Sequence, residues 1–185
     1  MSIYTLAFKL IATPFLAIGV LFLTDSSIFF YPLVFSLTLG LSNYNLLRHN
    51  LVLGLLIGLI FSYLTYFVGL LSFIITASGN QDKGISNNIT IGEWINIDLA
   101  FTFTVMIIAP FLTMIVQKSI YKNTNSKLSN SIIAVTIVII TIISFFINHQ
   151  QTNYVFDIFS LWHIICLFGL QLIINQTQLL KLIKI

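Results

Sequence analysis

Residues 51–77 read LVLGLLIGLIFSYLTYFVGLLSFIITA, an apolar run of 27 residues without a charged side chain. A hydrocarbon core about 30 Å thick is crossed by roughly 20 helical residues at about 1.5 Å rise each, so this stretch can span a bilayer with tilt. In that medium a helix satisfies every backbone N–H and C=O within one segment. Gly54, Gly58 and Ser62 recur at four-residue spacing, continued by Thr65 and Gly69. Small residues at this spacing let a neighbouring backbone approach, so helix packing is their expected use.

Outward from this run, Arg48-His49-Asn50 precedes it and a polar stretch, 78–92, follows it. The alternation of long apolar and short polar segments recurs, and predicts spans over 3–23, 28–47, 51–77, 94–117, 131–147 and 154–175. The expected fold is all-α: a polytopic integral membrane protein, a bundle of six transmembrane helices forming a single domain over 1–185. Composition agrees, because 58% hydrophobic residues, 7% charged residues and a mean hydropathy of +1.03 exclude an ordinary soluble globular domain.

Charge orients the bundle. Lys9, Arg48, Lys118, Lys122, Lys127, Lys181 and Lys184 cluster at one set of alternating segment ends, with Lys83 the exception, and short loops rich in Lys and Arg lie inside. Asp25, Asp82, Glu93, Asp98 and Asp157 group at or near the other set. Both termini are therefore expected to be cytoplasmic, in a bacterial plasma membrane, since the chain shows no organelle-targeting signal. Lys9 ahead of an apolar run also fits a cleaved signal peptide, but the apolar 1–8 segment and the poor cleavage context around Asp25 favour a retained span.

The net charge of +3 and pI near 9.1 are explained by inner-loop lysines facing anionic lipid rather than by nucleic acid. Cys166 is the single cysteine, which excludes an intrachain disulfide and a CxxC motif. No phosphate-binding loop, HExxH helix, GxSxG elbow or GxGxxG turn occurs, so no catalytic residue and no cofactor is assigned.

The polar residues within the spans are the candidates for function. His163 lies about nine residues into the last span, near the midplane, where an ionisable group faces the bundle interior for function or pairing. Its plain alternative is a neutral imidazole that hydrogen-bonds a neighbouring helix. Ser160 and Cys166 share its stripe at three-residue spacing. Asp98 and Asp157 follow the interfacial aromatics Trp94 and Tyr154 at similar depth, so they could face one outer vestibule above His163 or simply be solvated among headgroups. Two nearby carboxylates would raise one pKa and suit proton coupling or cation binding. Ser36, Thr38, Ser42, Asn43 and Asn45 make the inner half of the second span polar, and Pro14, Pro32 and Pro110 can bend their helices.

The stretch 154–170, YVFDIFSLWHIICLFGL, resembles the last helix of alkaline-ceramidase-like membrane hydrolases, in which a Trp-His pair contributes a zinc ligand. The resemblance implies His163 as a metal ligand and covers about a tenth of the chain. It departs from the family in that Phe159 stands where a second histidine is expected, and His49 and His149 fall at loop ends on opposite sides.

Three functions follow as expectations. The first is a non-enzymatic membrane component that binds or conducts a small solute or ion through Asp98, Asp157, His163 and Ser160. The second is a partner, assembly or immunity-type subunit that recognises another membrane protein, or a second copy, through lipid-exposed Gly54 and Gly58. The third is an intramembrane metal-dependent hydrolase that uses His163.

Overall fold

The computed structural model describes residues 3–23, 29–78, 107–122, 124, 126–148 and 158–183. Among them the chain is all-α, with seven α-helices. These are α1 (Ile3–Leu23), α2 (Phe30–Ser42), α3 (Leu51–Ser78), α4 (Ala109–Ser119), α5 (Lys127–Asn148), α6 (Ile158–Ile174) and α7 (Gln176–Ile183).

Helix ends follow local hydrogen-bonding chemistry. Asn50 caps α3, its Oδ1 accepting from the Leu53 N–H at 2.8 Å, and Ser126 caps α5, its Oγ accepting from the Ser129 N–H at 3.0 Å. α2 stops at Ser42 because Asn43 competes with the backbone, its Nδ2 donating to the Leu39 carbonyl at 3.0 Å, where a continuing helix would place the Asn43 N–H. A 3-10 turn over Tyr44–Leu46 follows. The chain then extends through Leu47, which bridges Tyr121 in antiparallel fashion. The Arg48 N–H donates to the Ile120 carbonyl and the Lys122 N–H to the Leu46 carbonyl, both at 2.9 Å. These bonds latch the α2–α3 connection to the α4–α5 connection at one end of the bundle.

α6 is the central helix. It packs against α1, α2, α4 and α5, while α3 covers α2 and α4. Cys166, Leu167, Leu170, Gln171 and Ile173 on α6 are wholly buried, as expected of a helix apolar on nearly every side. The outward faces of α1 and α3 are correspondingly greasy: Tyr4, Phe8, Ile11 and Phe15 on α1 and Val52, Leu56, Ile60 and Leu64 on α3 are exposed at helical spacing. Soluble monomers rarely expose continuous apolar stripes of this extent.

Two helices, over Ile3–Leu21 and Leu51–Leu71, are long and apolar enough to cross a membrane; the count rises to three if the bent pair Trp162–Ile174 and Gln176–Leu182 is one span. By length and composition the described residues thus carry two or three candidate spans, not six. The shortfall has local causes. α2 is cut to 13 residues by Asn43, and the stretch expected to lead into α4 lies mostly outside the described residues.

Candidate functional site: a buried amide and hydroxyl seam

One face of α6 presents His163, Leu167, Gln171 and Asn175 at four-residue intervals, all buried. Twelve residues of helix make this stripe about 18 Å long. At its N-terminal end His163 sits in an aromatic cage, its ring 4.7 Å from Tyr31 and 5.4 Å, edge-on, from Phe35, with Trp162 beside it at 4.6 Å. Below it Leu167 and Leu39, both wholly buried, form an apolar plug.

Beneath the plug the seam becomes polar. Gln171 Nε2 donates to Thr13 Oγ1 on α1 at 3.1 Å and to Ser42 Oγ on α2 at 2.9 Å. Gln171 Oε1 accepts from Asn175 Nδ2 at 3.0 Å, and the same nitrogen approaches Asn43 Oδ1 at 3.3 Å. Three helices thus meet around three buried amides, Gln171, Asn175 and Asn43. The hydroxyls are also satisfied locally, because Thr13 and Ser42 each donate to the carbonyl four residues back, at 2.8 and 2.7 Å. One group is left over. Asn175 Oδ1 is buried and accepts no hydrogen bond among the described residues, although Asn175 itself is only 1% exposed. Leaving such an acceptor dry costs about 1–3 kcal/mol.

A second polar junction ties α4 to α3. Gln117 Nε2 donates to the Gly58 carbonyl at 2.9 Å and to Ser62 Oγ at 2.7 Å, and one turn further along Thr113 Oγ1 lies 3.3 Å from Thr65 Oγ1. A β-carbon on Gly58 would fall 2.8 Å from Ser36 Oγ, and one on Gly54 would fall 2.9 Å from a Leu47 methyl. Gly54, Gly58 and Ser62 therefore face the chain's own interior. A partner recognising this stripe from the lipid side would find it covered.

The expected outer constellation is placed only in part. His163 is buried in the cage just described, whereas Asp98 and Asp157 lie outside the described residues, as does the side chain of Ser160. His49 is exposed in the latched α2–α3 connection, and among the described residues no group of three His, Cys, Asp or Glu side chains could hold a metal ion.

The residues that form the seam were partly missed in the sequence. Ser42 and Asn43 stand out because they belong to a run of polar residues with Ser36, Thr38 and Asn45, whereas Gln171 and Asn175 stand apart in an otherwise apolar stretch. Their interval of four from each other, and of eight and twelve from His163, was the available signal.

Fold and seam together define, among the described residues, an all-α bundle with two or three helices long enough to cross a membrane and a polar seam within an apolar core. No protein family matches it, and neither a curated protein nor a solved structure does so.

Proposed function

We propose that this chain is a small multi-pass membrane protein of six helical spans, both ends cytoplasmic, in a bacterial plasma membrane, and that it is a non-enzymatic component that binds or conducts a small solute or ion. The observation that supports this most is the unmet acceptor Asn175 Oδ1 at the inner end of the α6 seam. A buried amide oxygen calls for a hydrogen-bond donor or a cation, so the ligand class is a small cation, alkali or ammonium-type, or a compact hydroxylated solute.

Energetics favour the same reading. Interhelical side-chain hydrogen bonds in membranes contribute only about 0.6 kcal/mol on average. Thr13 and Ser42 already have local acceptors, so Gln171 adds little that an apolar residue would not. Polar side chains at depth that stability does not require point to a solute site. In the full path His163 marks the seam's outer half, with Asp98, Asp157 and Ser160 as the proposed outer mouth, and the Leu39–Leu167 plug separates the two halves.

The test is cation-dependent thermal stability of the purified full-length protein in nanodiscs, with sodium, potassium, ammonium and choline chlorides at equal ionic strength. A bound ligand raises stability by RT ln(1 + [L]/Kd), so one small cation is expected to raise Tm over choline, and Asn175→Ala and Gln171→Leu to remove that rise while remaining folded. Equal Tm in all four salts, together with no cation flux in proteoliposomes, would falsify the cation form of the proposal.

A further inference from the structure

The inner end of the bundle carries a feature that the solute site does not use. At Asn175 the chain turns by 67° from α6 into α7. Asn175 belongs to both helices: its N–H donates to the Gln171 carbonyl at 3.1 Å, and its own carbonyl accepts from the Gln178 and Leu179 N–H groups at 3.0 Å. The turn is fixed by a tether. Gln176 Oε1 accepts from Ser126 Oγ at 2.6 Å and Ser129 Oγ at 3.2 Å, at the start of α5.

So held, α7 cannot continue the line of α6 across the membrane. At about 100° per residue, Leu180, Thr177 and Lys181 fall within one exposed arc, with Leu180 at one edge and Lys181 at the other, while Gln176 turns into the bundle. Leu180 is 44% exposed, so among the described residues an apolar side chain at this edge stands uncovered.

The same rim gathers further positive charge. The latch between the two inner connections sets Arg48 opposite Ile120 and Lys122 opposite Leu46, and Arg48 Nε donates to the Tyr121 carbonyl at 2.8 Å. The Ser126–Gln176 tether brings Lys127 to the base of α7. Arg48, Lys122, Lys127 and Lys181 are all exposed, and no acidic residue occurs among the described residues.

We infer that α7 is an in-plane helix that seats the basic rim on the anionic phospholipid headgroups of the inner leaflet. Leu180 enters the acyl boundary, and Lys181, Lys127, Lys122 and Arg48 face phosphate. The occupant is chosen by complementarity: a surface that combines exposed leucine with uncompensated cationic charge at one level fits a lipid interface better than a soluble acidic protein, which offers no apolar phase. The inference rests on the membrane reading above but not on the solute site.

The test uses the full chain in nanodiscs of phosphatidylcholine with and without phosphatidylglycerol. Single spin labels replace Thr177, Leu180, Lys181 and, as a membrane control, Ile60 on α3, in a Cys166→Ala background. Oxygen collisions at Ile60 with no access for a nickel chelate establish the membrane itself, so failure there sinks the spanning reading and failure at α7 alone sinks this one. The label at Leu180 is expected at the acyl–headgroup boundary, with those at Thr177 and Lys181 in the aqueous nickel. Spin-labelled phosphatidylglycerol is expected to associate several-fold more than phosphatidylcholine, and the triple variant Lys122→Gln, Lys127→Gln, Lys181→Gln to bring that ratio toward one. All three α7 labels at mid-core depth, all three in water, or a lipid preference unchanged by the triple variant would each overturn the inference.

Discussion

Gln171 is the residue whose replacement separates folding from function most cleanly. Its Nε2 binds two hydroxyls that keep their own carbonyl acceptors, so Gln171→Leu should cost no more than about 1 kcal/mol, because few groups are left unsatisfied. Denaturation of the variant in mixed micelles measures this, and a loss of several kcal/mol would mean that the amide is a structural keystone instead. Tyr121 gives a prediction in pH. It is buried under the inner latch, and burial pushes its hydroxyl above the ordinary tyrosine range. In the unfolded chain tyrosine ionises near about 10. Above that pH the folded state holds a proton that the unfolded state has lost, so this contribution to stability is present at neutral pH and declines as pH rises past the unfolded value. Ultraviolet titration should show one tyrosine resisting ionisation until the protein unfolds, and Tyr121→Phe should remove that component. Tyr121 was invisible as a special residue in the sequence, since nothing local reports that a loop tyrosine will be covered by a connection more than seventy positions away.

At the scale of elements, close approach dominates. A β-carbon on Gly169 of α6 would lie 2.6 Å from Thr136 Oγ1 and 2.9 Å from the Met114 methyl, so α4 and α5 would both have to give way. Gly169→Val is expected to destabilise by about 1–3 kcal/mol. Gly19 on α1 meets nothing within 4 Å, and Gly19→Ala should be neutral or raise stability by up to about 1 kcal/mol through helix propensity. Thermal melts of the two variants side by side check the contrast, and equal losses would mean that the helices do not pack this tightly. Elements differ in how far the sequence discloses them. The helical class was readable from apolar runs without charge, and the stop at Arg48-His49-Asn50 from polarity. The start of α5 was not: placing it at Ser131 overlooks Ser126, whose hydroxyl caps the first turn. The early end of α2 depends on the buried Asn43 amide donating to the Leu39 carbonyl, which composition does not encode. α7 fell beyond the last expected span, 154–175, because eight residues are too few for a hydropathy signal.

At the scale of the whole molecule, the described connections 43–50, 118–126 and 175–176 converge on one end by hydrogen bonds, which is the end the charge pattern assigns to the cytoplasm. Cysteines introduced at His49 and Lys122 should therefore react with a membrane-impermeant maleimide only after cells are opened. Labelling of both in intact cells would invert the proposed orientation. The acids were legible because charge in an apolar chain is conspicuous. Gln171 and Asn175 were not, because their significance lies in which helices meet, and α1 reaches α6 across 158 positions of sequence.

The inner latch also bears on the order of synthesis. When α3 emerges, the Leu46 carbonyl and the Arg48 N–H have no partners, and they wait until Ile120–Lys122 leave the ribosome. The Gly58 carbonyl and Ser62 hydroxyl likewise wait for the Gln117 amide. A nascent chain that stalls between α3 and α4 would present an unfinished hairpin to the quality-control proteases, while one that passes Lys122 closes two clasps almost at once. Biogenesis then has a commitment point at Lys122, and chains released before it should be degraded faster than those released just after it.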